Sequence, residues 1–288
     1  MLNTFGGLPD EYTSFGNAKI ALLPVPYDMT STYGKGADKG PAALIDATPY
    51  LEFYDFETDY EVYRKGIFIA KPISENTSPE KVVDAVYREV AGFLKAGKFT
   101  VVLGGEHTVS IGTVKAHSEK FRNVSVLQLD AHSDLRQEYL GSKYNHACAM
   151  ARIKEYCPIV QVGIRSTDVS ELEYINRKNV FLAEDIFCRK EYSNYRWVDK
   201  VVKRLPENVY ITVDLDVFDP SVLPGTGTPE PGGLGWYDVL VLVKKTMMQK
   251  NVVGFDIVEL APDESRVSEF TAAKLLYKML SYKFAKSR

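Results

Sequence analysis

The chain has 288 residues, of which 45% are hydrophobic and 25% charged, the composition of an ordinary globular protein. A net charge of -3 leaves no basic footprint and argues against nucleic acid as a partner. No apolar run approaches the roughly 20 residues that cross a bilayer, so no membrane partner is expected either.

The opening stretch, MLNTFGGLPDEYTSFGN, lacks a basic start followed by an apolar core, and no secretory leader is expected. Strand candidates follow at 19–25, 66–70, 100–103, 124–129, 159–163, 180–182, 209–213 and 252–257. Several are apolar throughout, as in strands buried on both faces. Helical patterns lie between them. The clearest is 79–96, where Ser78 suits the cap, Pro79 the first turn and Gly97 the stop. Its Val82, Val83, Val86, Val90, Phe93 and Leu94 form one apolar stripe. Helices are also expected at 236–250 and 267–284. This alternation predicts an α/β fold with a mostly parallel sheet, and no linker or repeat divides residues 1–288, which read as one domain.

Two Pro/Gly/Thr-rich stretches, 30–41 and 220–235, are longer than ordinary connections. The first either lines a site or merely covers the sheet's end. The second closely follows a carboxylate pair and reads as functional. Cys148, Cys157 and Cys188 show no paired or metal-type spacing, so reduced thiols in a cytoplasmic protein are expected. Cys148 reads as a packing residue despite its place two residues from His146.

Four motifs fall where predicted strands end, the edge at which open α/β sheets bind ligands. Val101-Val102-Leu103-Gly104-Gly105-Glu106-His107 turns on its glycines and delivers His107 above the sheet. In Leu129-Asp130-Ala131-His132-Ser133-Asp134, the i, i+2 spacing lets Asp130 and His132 face one cavity, to which Asp134 returns from the loop. Val213-Asp214-Leu215-Asp216 repeats the spacing with two carboxylates. The fourth motif is Phe255-Asp256-Ile257-Val258-Glu259. Singly, a carboxylate pair or a histidine here is ordinary capping or a core hydrogen bond. Together, several buried carboxylates need cations or must protonate. Four aspartates carry four negative charges, which two divalent ions neutralise. One imidazole per ion among carboxylates suits Mn2+ better than Zn2+, with Fe2+ and Co2+ as alternatives.

GGEH, DAHSD, DLDVFDPSVLPGTGTPEPGG and DIVELAP, in this order between Tyr27 and Pro262, resemble the ureohydrolase family, which includes arginase and agmatinase. The resemblance implies a three-layer α/β/α fold with an eight-stranded parallel sheet, two Mn2+ ions per subunit and urea as product. It places one ion among His107, Asp130, Asp134 and Asp214, and the other among Asp130, His132, Asp214 and Asp216. Asp130 and Asp214 would then bridge. Glu259 matches the family's guanidinium acceptor and His146 the histidine near the scissile group. Asp134 becomes a candidate proton relay, and His146 either a proton shuttle or a positioning group. Glu106 either orients His107 or anchors its turn. Asp256 reads as structural and Asp219 as the cap of a turn before Pro220. The family also suggests a homo-oligomer, as trimers or pairs of trimers.

The substrate's tail is read from residues 135–145. The asparagine and serine that hold an amino acid's carboxylate in arginases are missing there. Tyr144-Asn145-His146-Ala147-Cys148 resembles the agmatinase branch, so agmatine is the expected substrate, giving urea and putrescine. Glu138 would meet its ammonium. Arg136 argues instead for a guanidino acid such as 4-guanidinobutyrate, and both side chains read equally as solvated loop charges. Tyr139 and Tyr144 either line the mouth or pack beneath it, and 163–166 shapes it. Competing readings are a metal deamidase or deacetylase on a similar scaffold, and a guanidine- or polyamine-binding regulator without catalysis.

Overall fold

The eight apolar runs form strands, and the six inner ones are buried on both faces while the two edge strands are only partly covered. A computed structural model describes residues 4–285, so the first three residues of the N-terminal stretch and the last three of the chain lie outside the described residues. The strands are β1 (Ile20–Val25), β2 (Ile67–Ile69), β3 (Phe99–Gly104), β4 (Val124–Leu129), β5 (Ile159–Ile164), β6 (Val180–Leu182), β7 (Asn208–Asp214) and β8 (Asn251–Val258). They pair in the order β2-β1-β3-β8-β7-β4-β5-β6, and every pairing is parallel.

Alternate strand residues pack into different layers. Leu127, Leu129, Ile211 and Val213 join the core under helices Arg196–Arg204, Trp236–Gln249 and Val267–Phe284. Val102, Val126 and Tyr210 face helices Pro79–Lys95 and Val109–Lys120 on the other side. The result is the expected three-layer α/β/α arrangement. Helix Val109–Lys120 has no amphipathic stripe to announce it, because it is buried nearly all round, with Ser110, Thr113 and His117 inside as well as Ile111 and Val114. Those polar groups meet a polar row that crosses the sheet. Gln161, Gln128, Thr212 and Asp256 are in-register partners on β5, β4, β7 and β8. All four are buried, just below the sheet's carboxyl edge.

Away from that edge, Lys278 of helix Val267–Phe284 pairs with Asp55 at 2.8 Å and Glu57 at 2.6 Å. Glu57 also accepts from Lys244 at 2.7 Å and from the Tyr282 hydroxyl at 2.5 Å. Burial alone would raise the Glu57 carboxyl, but these donors outweigh it and hold it at about 2, against an ordinary 4.5. A depressed carboxyl contributes stability above its unfolded pKa and loses it as pH falls through the folded one. Lys278→Met would leave the buried Asp55 carboxylate without its cation and should cost about 3 kcal/mol at pH 7. The gap from the parent should shrink as pH falls from about 4.5 toward 2, as measured by urea unfolding at stepped pH.

Candidate metal centre

Four neighbouring strands, β3, β8, β7 and β4, deliver the candidate side chains to one edge. After β3 the chain turns sharply. Gly105 N–H donates to Val25 O at 2.8 Å, and a Cβ on Gly105 would overlap the Tyr27 carbonyl oxygen. Only glycine permits that approach, and His107 follows it onto the edge. Asp130 leaves β4, and Asp134 returns to the site through a left-handed backbone, φ 52°. Asp214 ends β7 and Asp216 sits in the turn after it. Glu259, beyond β8, is also left-handed at φ 65°. Such conformations cost about 1–3 kcal/mol each in a non-glycine residue and concentrate where a side chain must be aimed.

The predicted ligand atoms converge. His107 Nδ1 lies 3.2 Å from Asp130 Oδ2, 3.0 Å from Asp134 Oδ2 and 3.4 Å from Asp214 Oδ2. His132 Nδ1 lies 2.8 Å from Asp216 Oδ2 and 3.7 Å from Asp130 Oδ1. Two groups, His107-Asp130-Asp134 and Asp130-His132-Asp216, are each close enough to share an ion, and Asp130 belongs to both. The four aspartates and His107 are buried, and His132 is partly exposed.

The electrostatics call for positive charge. Burial, with Asp134 and Asp216 nearby, pushes the Asp130 carboxyl up to about 7. Burial, Asp216 and Asp130 push Asp214 well above the carboxylate range. Burial disfavours a charged His132, but Asp216, Asp130 and Asp134 overcome it and raise the ring to about 11. Asp216 beside that ring falls to about 2, against the pull of burial. Without a cation the cluster draws in protons.

One buried atom shows what fits there. His107 Nδ1 makes no hydrogen bond, although three carboxylate oxygens surround it. Beneath it, Thr212 Oγ1 donates to Asp256 Oδ1 at 2.5 Å. That hydroxyl can then accept from His107 Nε2–H at 2.8 Å, which leaves the Nδ1 lone pair facing the oxygens. A lone pair and carboxylates aimed at one point are a divalent cation's donor set. Asp256 thus does more than hold a strand: it also accepts from Tyr210 OH at 2.9 Å and ends the chain of bonds that sets the His107 ring.

A cavity of about 230 Å³ opens over the cluster, lined by His107, His132, Asp134, Asp214, Asp216, His146, Glu259, Arg136 and Tyr139, among others. Glu259 Oε1 accepts His107 N–H at 2.8 Å, and burial followed by the charge of Glu106 pushes its carboxyl well up. Glu138 is exposed and lies outside the lining. Arg136 lines it but is engaged, 3.3 Å from Asp168 Oδ2, 3.8 Å from Glu171 Oε1 and over the Tyr139 ring. Tyr144 packs beneath, against the core, and Cys148 is buried with its thiol pushed by burial up to about 11. Both long loops reach the cavity, through Ser31 to Gly34 and through Gly227 and Thr228, and Gly34 N–H donates to Gly227 O at 3.1 Å. Asp219 caps its turn as expected and also accepts from Gly232 and Gly233, pinning the loop's far end.

Several supporting residues escape a reading by motif. Gln128 Nε2 donates to Asp130 Oδ2 at 2.6 Å, and Gln161 joins Gln128 to Ser133 O. Glu171 accepts from Ser133 and from Leu135 N–H. Arg165 donates to the carbonyls of Asp216, Glu230 and Pro231, tying the 220–235 loop to the site. The available signal was a lone polar residue inside an apolar run, i, i+2 from a motif aspartate, as in Gln128 before Asp130 and Thr212 before Asp214.

Residues 18–281 match the sequence pattern of the arginase family. The chain is 39% identical to an N(1)-aminopropylagmatine ureohydrolase of Synechocystis, across 94% of this chain and 90% of that one. It is 36% identical to an agmatinase of Pyrococcus horikoshii, across 91% and 90%. Its fold superposes on the crystal structure of an agmatine ureohydrolase of Thermoplasma volcanium with a TM-score of 0.86 at 32% identity, covering 98% of this chain and 94% of that one.

The bonds beneath His107 carry a measurable consequence. Thr212→Val removes the acceptor for His107 Nε2–H and should weaken Mn2+ binding by about 10–100-fold, whereas Thr212→Ser should retain it. Isothermal titration of metal-depleted protein compares the two.

Proposed function

The chain belongs to the arginase family of hydrolases acting on guanidino C–N bonds, and from that membership we propose a two-metal enzyme that releases urea from an agmatine-type guanidine. The reading favours N1-aminopropylagmatine as substrate, with agmatine as the shorter alternative. What carries it is the convergence of two imidazole nitrogens and four aspartates beneath a cavity that Glu259 also lines.

His107, Asp130, Asp134 and Asp214 would hold one ion, and Asp130, His132, Asp214 and Asp216 the other. Mn2+ suits one imidazole among carboxylates. Two such ions would supply a water of lowered pKa as nucleophile near neutral pH. The protein's own groups do the rest. Glu259 orients the guanidinium through charge-assisted hydrogen bonds, which matters because a resonance-stabilised guanidinium is a poor electrophile. Asp134 and His146 line the cavity as the groups able to carry a proton to the departing nitrogen.

Two observations bear on the tail. Beyond the carboxylates assigned to the ions and the guanidinium, the lining carries Asp168 and Glu171 against the single guanidinium of Arg136. Arg136 is itself engaged by Asp168 and Glu171, so it offers little to a substrate carboxylate. Both features favour an ammonium-bearing tail over 4-guanidinobutyrate or arginine. The name of the Synechocystis relative favours the longer tail. Glu138, outside the cavity, has no support as the ammonium's partner.

A panel of N1-aminopropylagmatine, agmatine, arginine and 4-guanidinobutyrate, with Mn2+ and urea detection, tests the proposal. The highest kcat/KM should fall on the aminopropyl compound, the next on agmatine. Asp130→Asn and Asp214→Asn should lose bound manganese and urea release together; unchanged turnover in either would overturn the metal assignment. Glu259→Gln should lower kcat/KM about 30- to 1,000-fold, as expected for the loss of about 2–4 kcal/mol from a desolvated charge pair.

A further inference from the structure

Glu106 is fully buried in the turn before His107, yet its carboxylate points away from that ring. It holds the start of the 30–41 loop instead. Oε2 accepts from Thr30 N–H at 2.7 Å and from Ser31 Oγ at 3.3 Å, and Oε1 accepts from Thr30 Oγ1 at 2.6 Å. The same Thr30 hydroxyl meets His146 twice. It accepts the His146 backbone N–H at 2.9 Å and lies 3.2 Å from ring Nδ1.

A hydroxyl has one proton and two lone pairs. The short contact to Glu106 takes the proton. The backbone N–H of His146 takes one lone pair. What remains toward Nδ1 is a lone pair, which can only accept, so Nδ1 must carry the hydrogen. The ring's acceptor is then Nε2, on the side opposite Thr30, in a residue that lines the cavity.

We propose that Thr30, held by buried Glu106, is a positioning residue that fixes His146 as the Nδ1–H tautomer and leaves Nε2 as the proton acceptor of the cavity. The inference deepens the proposed function and rests on His146 being one of its proton-carrying groups. A neutral imidazole is useful for taking up a proton only if the correct nitrogen is vacant. Burial lowers the ring's pKa and so favours its neutral form. Ring orientation and tautomer are then the properties left for the surroundings to set. The 30–41 loop thereby gains a role beyond covering the sheet's end: its first residue aims a side chain on a different loop.

The test separates tautomer from turnover. In 15N-histidine-labelled, metal-free protein at pH 8, long-range proton–nitrogen correlation reports which ring nitrogen of each histidine is protonated, and His146→Asn assigns the signal. The expected result is Nδ1 protonated and Nε2 bare. Thr30→Val should shift His146 toward the Nε2–H form and lower kcat about 10–100-fold with KM changed less than about threefold. Thr30→Ser should restore both. A wild-type His146 protonated at Nε2 overturns the proposal, and that spectrum decides even if Thr30→Val fails to fold. A Thr30→Val protein with raised KM, lowered Tm and an unchanged tautomer also overturns it, since the hydroxyl would then only hold the loop. If the wild-type protein releases no urea from any guanidine while the tautomer stands as expected, the functional reading fails and the positioning role survives.

Discussion

Four buried aspartate carboxylates are packed together at the carboxyl edge of one sheet. Carboxylates at this density are stable only beside positive charge, and protons and metal ions are the available sources. The central architecture follows from that demand. The four strands that end at the cluster are contiguous although they are far apart in sequence. Each contributes a short polar tail to an otherwise apolar run, so the hydrophobic layers carry the stability while the edge carries the charge. Two of the site residues also accept left-handed backbone conformations that L-residues avoid, and a well-packed sheet can sustain that strain.

A charged edge does not by itself aim its ligands. Two of the imidazoles are set in the same way. His107 leans on Thr212 backed by Asp256, and His146 leans on Thr30 backed by Glu106. In each case a buried carboxylate takes the threonine's proton, so the hydroxyl can act only as an acceptor toward the ring. The consequence is a ring whose far nitrogen is free. The carboxylates that do this are buried acids that the motifs alone leave without a task. A buried carboxylate is expensive unless every oxygen is satisfied. Glu106 and Asp256 are satisfied, by Thr30 and Ser31 in one case and by Thr212 and Tyr210 in the other.

The sheet was legible in the sequence because strands buried on both faces read as largely apolar runs, and several of the eight runs are of that kind. Their observed ends differ from the expected ones by at most one residue, as β8 does at Asn251 and Val258. Helix Val109–Lys120 was not legible. Periodicity signals a helix only when one side faces water, and this one is sandwiched between sheet and helix Pro79–Lys95. The candidate ligand residues stood out because several aspartates and histidines end neighbouring apolar runs together; singly, each has an ordinary structural explanation. The residues that orient them were less so. Threonine and glutamine within a strand are common, and only the in-register row of Gln161, Gln128, Thr212 and Asp256 gives them a joint purpose. Register is a property of pairing, and a single strand's sequence does not display it.

The tail of the substrate marks where reading by residue type gives way to geometry. Arg136 and Glu138 sit two apart in the chain, and charge alone made them rival clues. In the folded protein they are not comparable. Glu138 faces solvent, while Arg136 is turned onto Asp168, Glu171 and the Tyr139 ring. A guanidinium held by two carboxylates is a poor host for a third, because the new anion would meet the field of the first two. The same two carboxylates, only partly neutralised, leave the mouth of the cavity acidic. An amine-bearing tail would therefore meet attraction along its length without any one residue dedicated to it. Such a mouth disfavours anions more sharply than it measures the length of a cation, because charge acts over a distance at which shape is not read.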